Sequence, residues 1–363
     1  MIGVYIHIPY CRTICPYCDF VKRPTKGAAP AEFIAALTRE ISAYKGARDA
    51  DAIFFGGGTP SLIDPASLAT ILSVVRRSFA VHAEAELTLE ANPDDITSEL
   101  LDAWIDLGVN RVSLGVQSFN DAALQYLGRR HDANAARKAC ELVAARFENW
   151  NVDLMFGVPP NDAWRDSLAE CKRMGSPHVS AYGLTYEAGT PFGKRSNEAI
   201  DEDTYLAQYN DALELLTGIE RYEVSNYARR GFECLHNLHY WRNEEYAGFG
   251  PGAYSFLDGV RARNHAKLED YLETPGGKME SLALSGDEVR IETIIQHLRL
   301  RDGLSRQTYF QRFQRHLDDE FGEPLRMLRE RGLVVDDGVV IRPSEQGFEL
   351  NNEIGLALVR VPA

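Results

Sequence analysis

The fold of this protein is decided by the stretch YIHIPYCRTICPYCDF, residues 5–20, in which an alternating apolar run leads directly into a cysteine-rich loop. Its three cysteines, Cys11, Cys15 and Cys18, follow the spacing Cys-x-x-x-Cys-x-x-Cys. Thiolates so close along the chain converge on one metal centre, and an iron–sulfur cube normally takes four cysteines. Three cysteines therefore predict a [4Fe–4S] cluster with one iron left open to another ligand.

A structural zinc site is the alternative interpretation of the same cysteines. Tetrahedral structural zinc takes four ligands, usually as two separated Cys/His pairs, and no second pair lies nearby in the sequence. His7 could complete a Cys3His set, but it belongs to an alternating run in which a strand would fix its direction independently of the loop. The spacing and its flanks favour the iron–sulfur cluster.

Composition and charge are those of a globular protein without nucleic-acid partners. The chain has 363 residues, of which 45% are hydrophobic and 25% charged, and this length suggests roughly two domains. The formal net charge of −14 argues against nucleic-acid binding, because phosphate contacts need a clustered basic surface.

Cysteine usage and the N-terminal sequence indicate the compartment. Three of the six cysteines, Cys140, Cys171 and Cys234, are scattered, which is not a disulfide framework, and an oxygen-sensitive cluster needs reducing surroundings. The start MIGVYIHIPYC lacks a basic n-region and a long apolar h-region, and no stretch reaches the ~18 apolar residues of a membrane span. We therefore expect a cytoplasmic protein that is neither exported nor integral to a membrane.

Short apolar runs alternate with helical patterns through the first 190 residues, which predicts repeated βα units around a parallel sheet. Six strands are predicted, at residues 4–8, 52–55, 86–90, 111–116, 151–156 and 178–184. Helices are predicted at residues 31–45, 65–78, 97–107, 133–147 and 163–174. Consecutive βα units curl with right-handed crossovers, so the predicted fold is α/β, a partial, six-unit TIM-like barrel with its chemistry at the carboxyl ends of the strands.

Polar and glycine residues stand at these strand ends. Three glycines in Gly56-Gly57-Gly58-Thr59-Pro60 follow the second strand and would let backbone N–H groups approach a ligand, although an ordinary tight turn is the alternative.

Three further polar residues occupy the next strands. Glu90 ends the third strand, Gln117 follows the fourth and Asp153 lies in the fifth. Glu90 could accept hydrogen bonds from ribose hydroxyls or pair with a basic residue. Asp153 could bind a polar group or be satisfied by backbone.

The segments after the barrel change in character. Residues 191–283 are expected to form a connecting helix and irregular, Tyr- and Gly-rich elements that act as a lid. Residues 284–363 show short helices followed by two strands joined at Asp337-Gly338, a winged-helix-like α+β unit. The predicted domains are therefore 1–190, 191–283 and 284–363.

A family resemblance joins these motifs. The segments YIHIPYCRTICPYCDF, FFGGGTPS, LEANPD, RVSLGVQSF, LGRRH and VDLMFGVP resemble, in order and spacing, radical S-adenosylmethionine proteins related to oxygen-independent coproporphyrinogen III oxidase. The resemblance covers essentially the whole chain and implies S-adenosylmethionine beside the [4Fe–4S] cluster. It implies the following contacts: Tyr5 with the cofactor; Gly57, Gly58 and Thr59 with its methionine end; Glu90 with its ribose; and Gln117, Arg129 and Asp153 with a second cofactor or the substrate side.

Two features resemble the heme-chaperone branch of that family more than the oxidase. Phe20 stands where the oxidase signature carries a fourth cysteine, and the segment CLHNLHYW contains the H-N-x-x-Y-W motif associated with heme binding. The motif residues are His236, Asn237, Tyr240 and Trp241. An imidazole can ligate heme iron and aromatic rings can cover a porphyrin face, although satisfied core residues are the alternative. His236, His239 and Cys234 all compete as axial ligand.

The resemblance also implies function and partners. We expect a heme chaperone that carries heme, delivers it to recipient hemoproteins, respiratory and membrane-associated ones included, and has no nucleic-acid partner. A homodimer and peripheral membrane association stay open. No catalytic residue is assigned, and the alternatives are the oxidase itself, a radical methyltransferase or a heme-degrading enzyme.

Overall fold

Six parallel strands form the centre of the fold in the computed structural model, which describes residues 1–46, 48–159 and 163–359. They are β1 (Ile2–Ile8), β2 (Asp49–Gly57), β3 (Ala80–Ala91), β4 (Arg111–Gln117), β5 (Asn149–Phe156) and β6 (His178–Gly183). Each strand pairs in parallel with the next along the chain. The prediction of a six-unit βα partial barrel is therefore confirmed.

Helices connect the strands and cover their outer face. They are α1 (Ala31–Ala43), α2 (Pro65–Ser78), α3 (Ser98–Asp106), α4 (Asp121–Tyr126), α5 (Ala133–Ala144) and α6 (Trp164–Met174). Side-chain caps begin several of them: Asp64 accepts from Ser67 N–H before Pro65, and Thr97 accepts from Leu100 N–H. The short helix α4 was not predicted, because six residues are too few to show a helical period.

Strand alternation separates an apolar outer face from a polar interior. Val4, Ile6, Leu87, Leu89 and other residues on the same face belong to the large core between sheet and helices. The alternate positions face inward and are largely polar, and they include Glu90, Arg111, Ser113, Asn151, Asp153 and Ser180. These inward-facing side chains border a cavity in the barrel interior.

The segment after β6 extends the sheet at both edges. Strands β7 (Glu220–Arg221) and β8 (Asn226–Ala228) add to the β6 edge. Strands β9 (Tyr246–Phe249), β10 (Tyr254–Leu257), β11 (Val260–Asn264) and β12 (Lys278–Ala283) add to the β1 edge. Helices α7 (Glu202–Leu215), α8 (Leu235–Trp241) and α9 (Leu268–Glu273) lie between them.

These edge strands correct the expectation of irregular elements over residues 191–283. The strands are short and rich in tyrosine and glycine, so their period of two is too brief to read from the sequence. They form because the open edges of the parallel sheet offer unpaired backbone groups.

The C-terminal residues form a smaller α+β unit with its own apolar core, around Leu298, Leu328 and Ile341. Its helices are α10 (Gly286–His297), α11 (Arg306–Phe313), α12 (Leu317–Glu330), α13 (Glu345–Glu349) and α14 (Asn351–Val359). Its three-stranded sheet consists of β13 (Leu304–Ser305), β14 (Val334–Asp336) and β15 (Val340–Pro343). The domain boundaries at 190 and 283 stay predictions. Across the described ranges, each helix is too short or too polar to cross a bilayer.

Candidate functional site

A cavity of about 500 Å³ fills the barrel interior, from the cysteine loop at the carboxyl ends of the strands down to helix α8. Its size is that of a cofactor or small-molecule site. Of the residues singled out from the sequence, the cavity is lined by Tyr5, Cys11, Cys15, Cys18, Gly57, Gly58, Thr59, Glu90, Gln117, Arg129, Asp153, His236, Asn237 and Tyr240. The structure thus brings into one cavity residues that lie as far as 235 positions apart, and it leaves Trp241 and the axial-ligand candidates His239 and Cys234 outside the cavity lining.

The cysteine loop is closed at its base and carries three free thiols. Two backbone hydrogen bonds, from Arg23 N–H to Pro9 C=O (2.6 Å) and from Thr25 N–H to Cys11 C=O (2.8 Å), tie its two ends together. Cys11 is buried, whereas Cys15 and Cys18 are half-buried at the cavity wall. The loop is held at its base and by further contacts along its length, and it presents three thiols close together.

The surroundings of the thiols suit anionic sulfur. The Arg129 guanidinium lies 3.4 Å from Cys15 Sγ, where it can stabilise a thiolate. A side chain on Gly58 would place its Cβ 2.9 Å from Cys11 Sγ, so the glycine keeps space free beside that sulfur. These residues fit a cluster held by three thiolates.

The zinc alternative finds no prepared site. Within the described residues, no three His, Cys, Asp or Glu side chains converge closely enough to hold a single metal ion. A four-iron cube binds its thiolates at separate corners and does not require them to meet at one point.

His7, the residue that could have completed a zinc set, has both ring nitrogens engaged elsewhere. Its Nε2 lies 2.8 Å from the Val21 carbonyl, and its Nδ1 lies 3.0 Å from the Tyr5 hydroxyl. Burial lowers the pKa of His7 to about 4, so the ring is neutral. His7 is therefore a support of the cysteine loop, a role that the strand pattern alone did not reveal.

The strand-end glycines shape the cavity wall. Gly57 has φ +113°, a conformation that favours glycine, and its N–H donates to Glu90 Oε2 over 3.1 Å. A Cβ on Gly57 would lie 2.5 Å from the His7 ring. Thr59 accepts a hydrogen bond from Asn92 Nδ2 at 3.2 Å. The glycine run thus lies closely packed between the His7 ring, which supports the cysteine loop, and the Glu90 carboxyl group of β3.

Two carboxyl groups face each other across the interior. Burial, followed by the charge of Asp153, raises the pKa of Glu90 to about 8. Burial also raises the pKa of Asp153, although Asn151 Nδ2 donates to it over 2.6 Å. Glu90 therefore carries its proton at neutral pH and can donate as well as accept a hydrogen bond.

Arg129 and Gln117 complete the upper wall. Arg129 Nη2 donates to Asn92 Oδ1 (2.6 Å) and to the Gly115 carbonyl (2.7 Å), which fixes its guanidinium beside the cysteines. Gln117 ends β4 with φ +68°, a left-handed conformation that is rare outside glycine and is often found at functional sites.

Arg111 is a cavity residue that the sequence reasoning missed. It is 2% exposed, lines the cavity and lies 3.9 Å from Glu86, a weak ion pair. The signal was present: in RVSLGVQ, the inward positions of β4 alternate from Arg111 through Ser113 to Gln117.

The heme-motif residues lie on α8, at the floor of the barrel. His236 is buried with its Nε2 2.9 Å from the Tyr240 hydroxyl, and burial lowers its pKa to about 3. Asn237 and Tyr240 border the cavity. Trp241 instead packs in a separate cluster with Tyr222, under the guanidinium of Arg299, 4.5 Å from its ring centre.

The two other candidate axial ligands, His239 and Cys234, both hold a proton that disfavours binding to iron. Burial alone would lower the pKa of His239, but the hydrogen bond with Asp51 (2.8 Å) and the ion pair with Glu244 (2.9 Å) raise it to about 9. A protonated imidazole has no lone pair for iron. Burial raises the pKa of Cys234 to about 12, so this cysteine keeps its proton and is a poor metal ligand.

Comparisons with known proteins agree with this geometry. The radical SAM superfamily matches residues 5–171, and the HemN C-terminal domain matches residues 284–350. Over its described length, the chain is similar in fold to the radical SAM enzyme coproporphyrinogen III oxidase (HemN) of Escherichia coli. The TM-score is 0.85, at 22% identity, and the match covers 98% of this chain and 89% of that one.

Curated relatives are similar over the whole chain. The heme chaperone HemW of Lactococcus lactis is 32% identical, covering 97% of this chain and 96% of the relative, and that of Bacillus subtilis is 32% identical over 98% of each. The heme chaperone HemW of Escherichia coli is 38% identical over 71% of each chain. With this identity across nearly the full length of its relatives, the chain belongs to the HemW family within the radical SAM superfamily.

Proposed function

We propose that this protein is a heme chaperone that binds heme and passes it to hemoproteins. The observation that carries the proposal is the similarity to curated HemW heme chaperones over almost the entire chain. Phe20, exposed at the cavity rim where the oxidase signature has a cysteine, supports the same assignment.

Membership of the radical SAM superfamily implies a [4Fe–4S] cluster and S-adenosylmethionine. Cys11, Cys15 and Cys18 would hold the cluster, with the Arg129 guanidinium stabilising the thiolate of Cys15. When bound, the pair supplies one-electron chemistry at the open iron.

The protein's own residues would bind and orient S-adenosylmethionine. Gly57 and Gly58 leave backbone accessible at the wall, and Thr59 lies beside them. Glu90, held by Gly57 N–H, points a carboxyl group into the cavity where ribose hydroxyls could bond to it. Tyr5 also lines the cavity and would contact the cofactor, and Gln117, Arg129 and Asp153 line it as well, available to a second cofactor or a substrate.

We also propose that the motif residues on α8 contact the heme. Asn237, Tyr240 and His236 all line the cavity, but His236 is 1% exposed and its Nε2 is hydrogen-bonded to Tyr240, so ligation through Nε2 would require that contact to break. Recipient hemoproteins, respiratory and membrane-associated ones included, and a homodimer are proposed from the family alone.

The test is anaerobic reconstitution of the full chain, followed by hemin titration and a coproporphyrinogen III turnover assay on the same sample. We expect saturable hemin binding with a defined Soret band and no turnover. Absence of saturable binding, or steady formation of protoporphyrinogen IX, would replace this proposal with the oxidase.

A further inference from the structure

Helix α8 meets the cavity through a stack of three rings. The His236 ring lies 5.1 Å from that of Phe54 with an interplanar angle of 23°, and 5.8 Å from that of Tyr5 with an angle of 17°. Near-parallel rings at these separations pack favourably. The Tyr5 ring therefore packs directly against the His236 ring.

The other contacts of His236 hold it in this stack. Its Nε2 is hydrogen-bonded to the Tyr240 hydroxyl one helical turn later (2.9 Å), and the Tyr240 ring packs edge-on against Tyr246 of β9. Its Nδ1 faces Gly3, where an added Cβ would approach to 2.8 Å. Nδ1 has no hydrogen-bond partner among the described residues, so the buried ring is held by packing and by the Nε2 contact.

Tyr5 extends the connection upward to the cysteine loop. A carbonyl can only accept, so His7 Nε2 carries the proton and donates to Val21 C=O, three residues after Cys18. His7 Nδ1 must then accept, and the Tyr5 hydroxyl donates to it. A continuous series of contacts, one ring stack and two hydrogen bonds, thus connects α8 through Tyr5 and His7 to the end of the cysteine loop.

The backbone is shaped around this path. Gly3 leaves room for the His236 ring and Gly57 leaves room for the His7 ring, since a Cβ on either glycine would lie within 2.8 Å of the neighbouring imidazole. The His236 and His7 rings therefore pack directly against the backbone of β1 and of the glycine run.

We propose that His236 and Tyr240 act as positioning residues that hold Tyr5 and, through His7, the cysteine loop in place for the cofactor, and that His236 is not an iron ligand. The positioning role does not depend on heme binding. It assigns the first and fifth positions of the H-N-x-x-Y-W motif to the radical SAM site.

The substitutions separate ring packing from metal ligation. His236→Phe keeps a flat ring but has no nitrogen for iron, whereas His236→Leu removes both. His82→Leu, at an exposed histidine, is the matched control. For each full-length, anaerobically reconstituted variant, S-adenosylmethionine is titrated against the electron paramagnetic resonance spectrum of the reduced cluster, and hemin against the Soret band.

We expect His236→Leu to raise the half-maximal S-adenosylmethionine concentration about three- to tenfold, the range that one aromatic pair is worth. His236→Phe should restore most of this loss, His82→Leu should match the parent, and the Soret position should stay unchanged in all three. A Soret shift shared by both His236 variants, or an unaltered cofactor titration in His236→Leu, would overturn the proposal.

A second variant tests the same proposal if His236→Leu does not fold. Tyr240→Phe removes only the hydroxyl that holds His236, so it should raise the half-maximal cofactor concentration about twofold with an unchanged Soret band. An unchanged cofactor titration in Tyr240→Phe would also overturn the proposal. Failure of the parent to bind hemin would remove the heme chaperone assignment but leave the cofactor titrations decisive.

Discussion

At the scale of single residues, the buried carboxyl group of Glu90 makes the stability of the folded protein depend on pH. Its folded pKa of about 8 lies above the ordinary value of 4.5. Below pH 4.5 both folded and unfolded chains carry the proton, and between 4.5 and 8 only the folded chain does. The stability that this group contributes is therefore present at low pH and lost as pH rises through that window.

We predict that Glu90→Gln flattens this dependence in the cofactor-free protein. The parent should lose thermal stability between pH 5 and pH 8 more steeply than the variant, because the glutamine does not titrate. Thermal unfolding midpoints across the pH range measure the effect, with exposed Glu84→Gln as the control. Equal slopes in parent and Glu90→Gln would contradict the assignment.

Gly57 carries the second prediction at this scale. Gly57→Ala would force a side chain onto φ +113° and against the His7 ring, so both cluster content and S-adenosylmethionine binding should fall. Iron and sulfide content and a cofactor titration measure the two losses. Gly27→Ala is the control, since a Cβ there meets nothing within 4 Å. Parent-like values in Gly57→Ala would show that this wall can adjust.

At the scale of elements, Glu40 of α1 ties together the elements at the β1 edge. Its buried carboxylate accepts from Gly250 N–H (2.8 Å), Asn264 Nδ2 (2.7 Å) and the Tyr271 hydroxyl (2.7 Å). One side chain of α1 thus holds the turn after β9, the end of β11 and helix α9. The turn at Gly250 therefore depends on this carboxylate, a contact that no sequence pattern indicated.

We predict that Glu40→Ala destabilises the protein by roughly 3 kcal/mol, because it leaves three buried donors without an acceptor. The midpoint of urea unfolding, followed by circular dichroism, measures the change. Glu32→Ala, at an exposed position on the same helix, should cost under about 1 kcal/mol. Similar losses in the two variants would show that the three donors find other partners.

At the scale of the whole molecule, α8 joins the barrel to the C-terminal unit. Trp241 packs under Arg299, and Asn243 Nδ2 donates to Thr293 Oγ1 of α10 over 3.0 Å. Arg312 of α11 donates to the carbonyl of Asn243 over 2.6 Å. The segment that closes the barrel floor is thus also the docking site of the C-terminal unit.

We predict that Trp241→Ala loosens this docking and leaves hemin affinity unchanged, because Trp241 lies outside the cavity. Limited proteolysis should cut the variant faster near residue 284 than the parent, and Trp241→Phe should restore part of the protection. Weaker hemin binding with unchanged proteolysis would instead place Trp241 at the heme.

The sequence by itself determined those features of this protein that depend on short-range sequence patterns. Cysteine spacing, the glycine run and the alternation of βα units are short-range features, and they predicted the six parallel strands and the cysteines, glycines and strand-end polar residues at the cavity wall. Carboxyl ends of parallel strands share one edge, so residues there had to meet whatever the details of packing.

The tertiary structure alone decided which residues point at one another. The edge strands after residue 220 depend on pairing with distant strands, and the burial of Arg111 depends on which face of β4 turns inward. The motif on α8 matched a heme signature in sequence, yet His236, His239 and Cys234 each meet partners far along the chain. Side-chain contacts of this kind arise from long-range packing, to which no local sequence pattern corresponds.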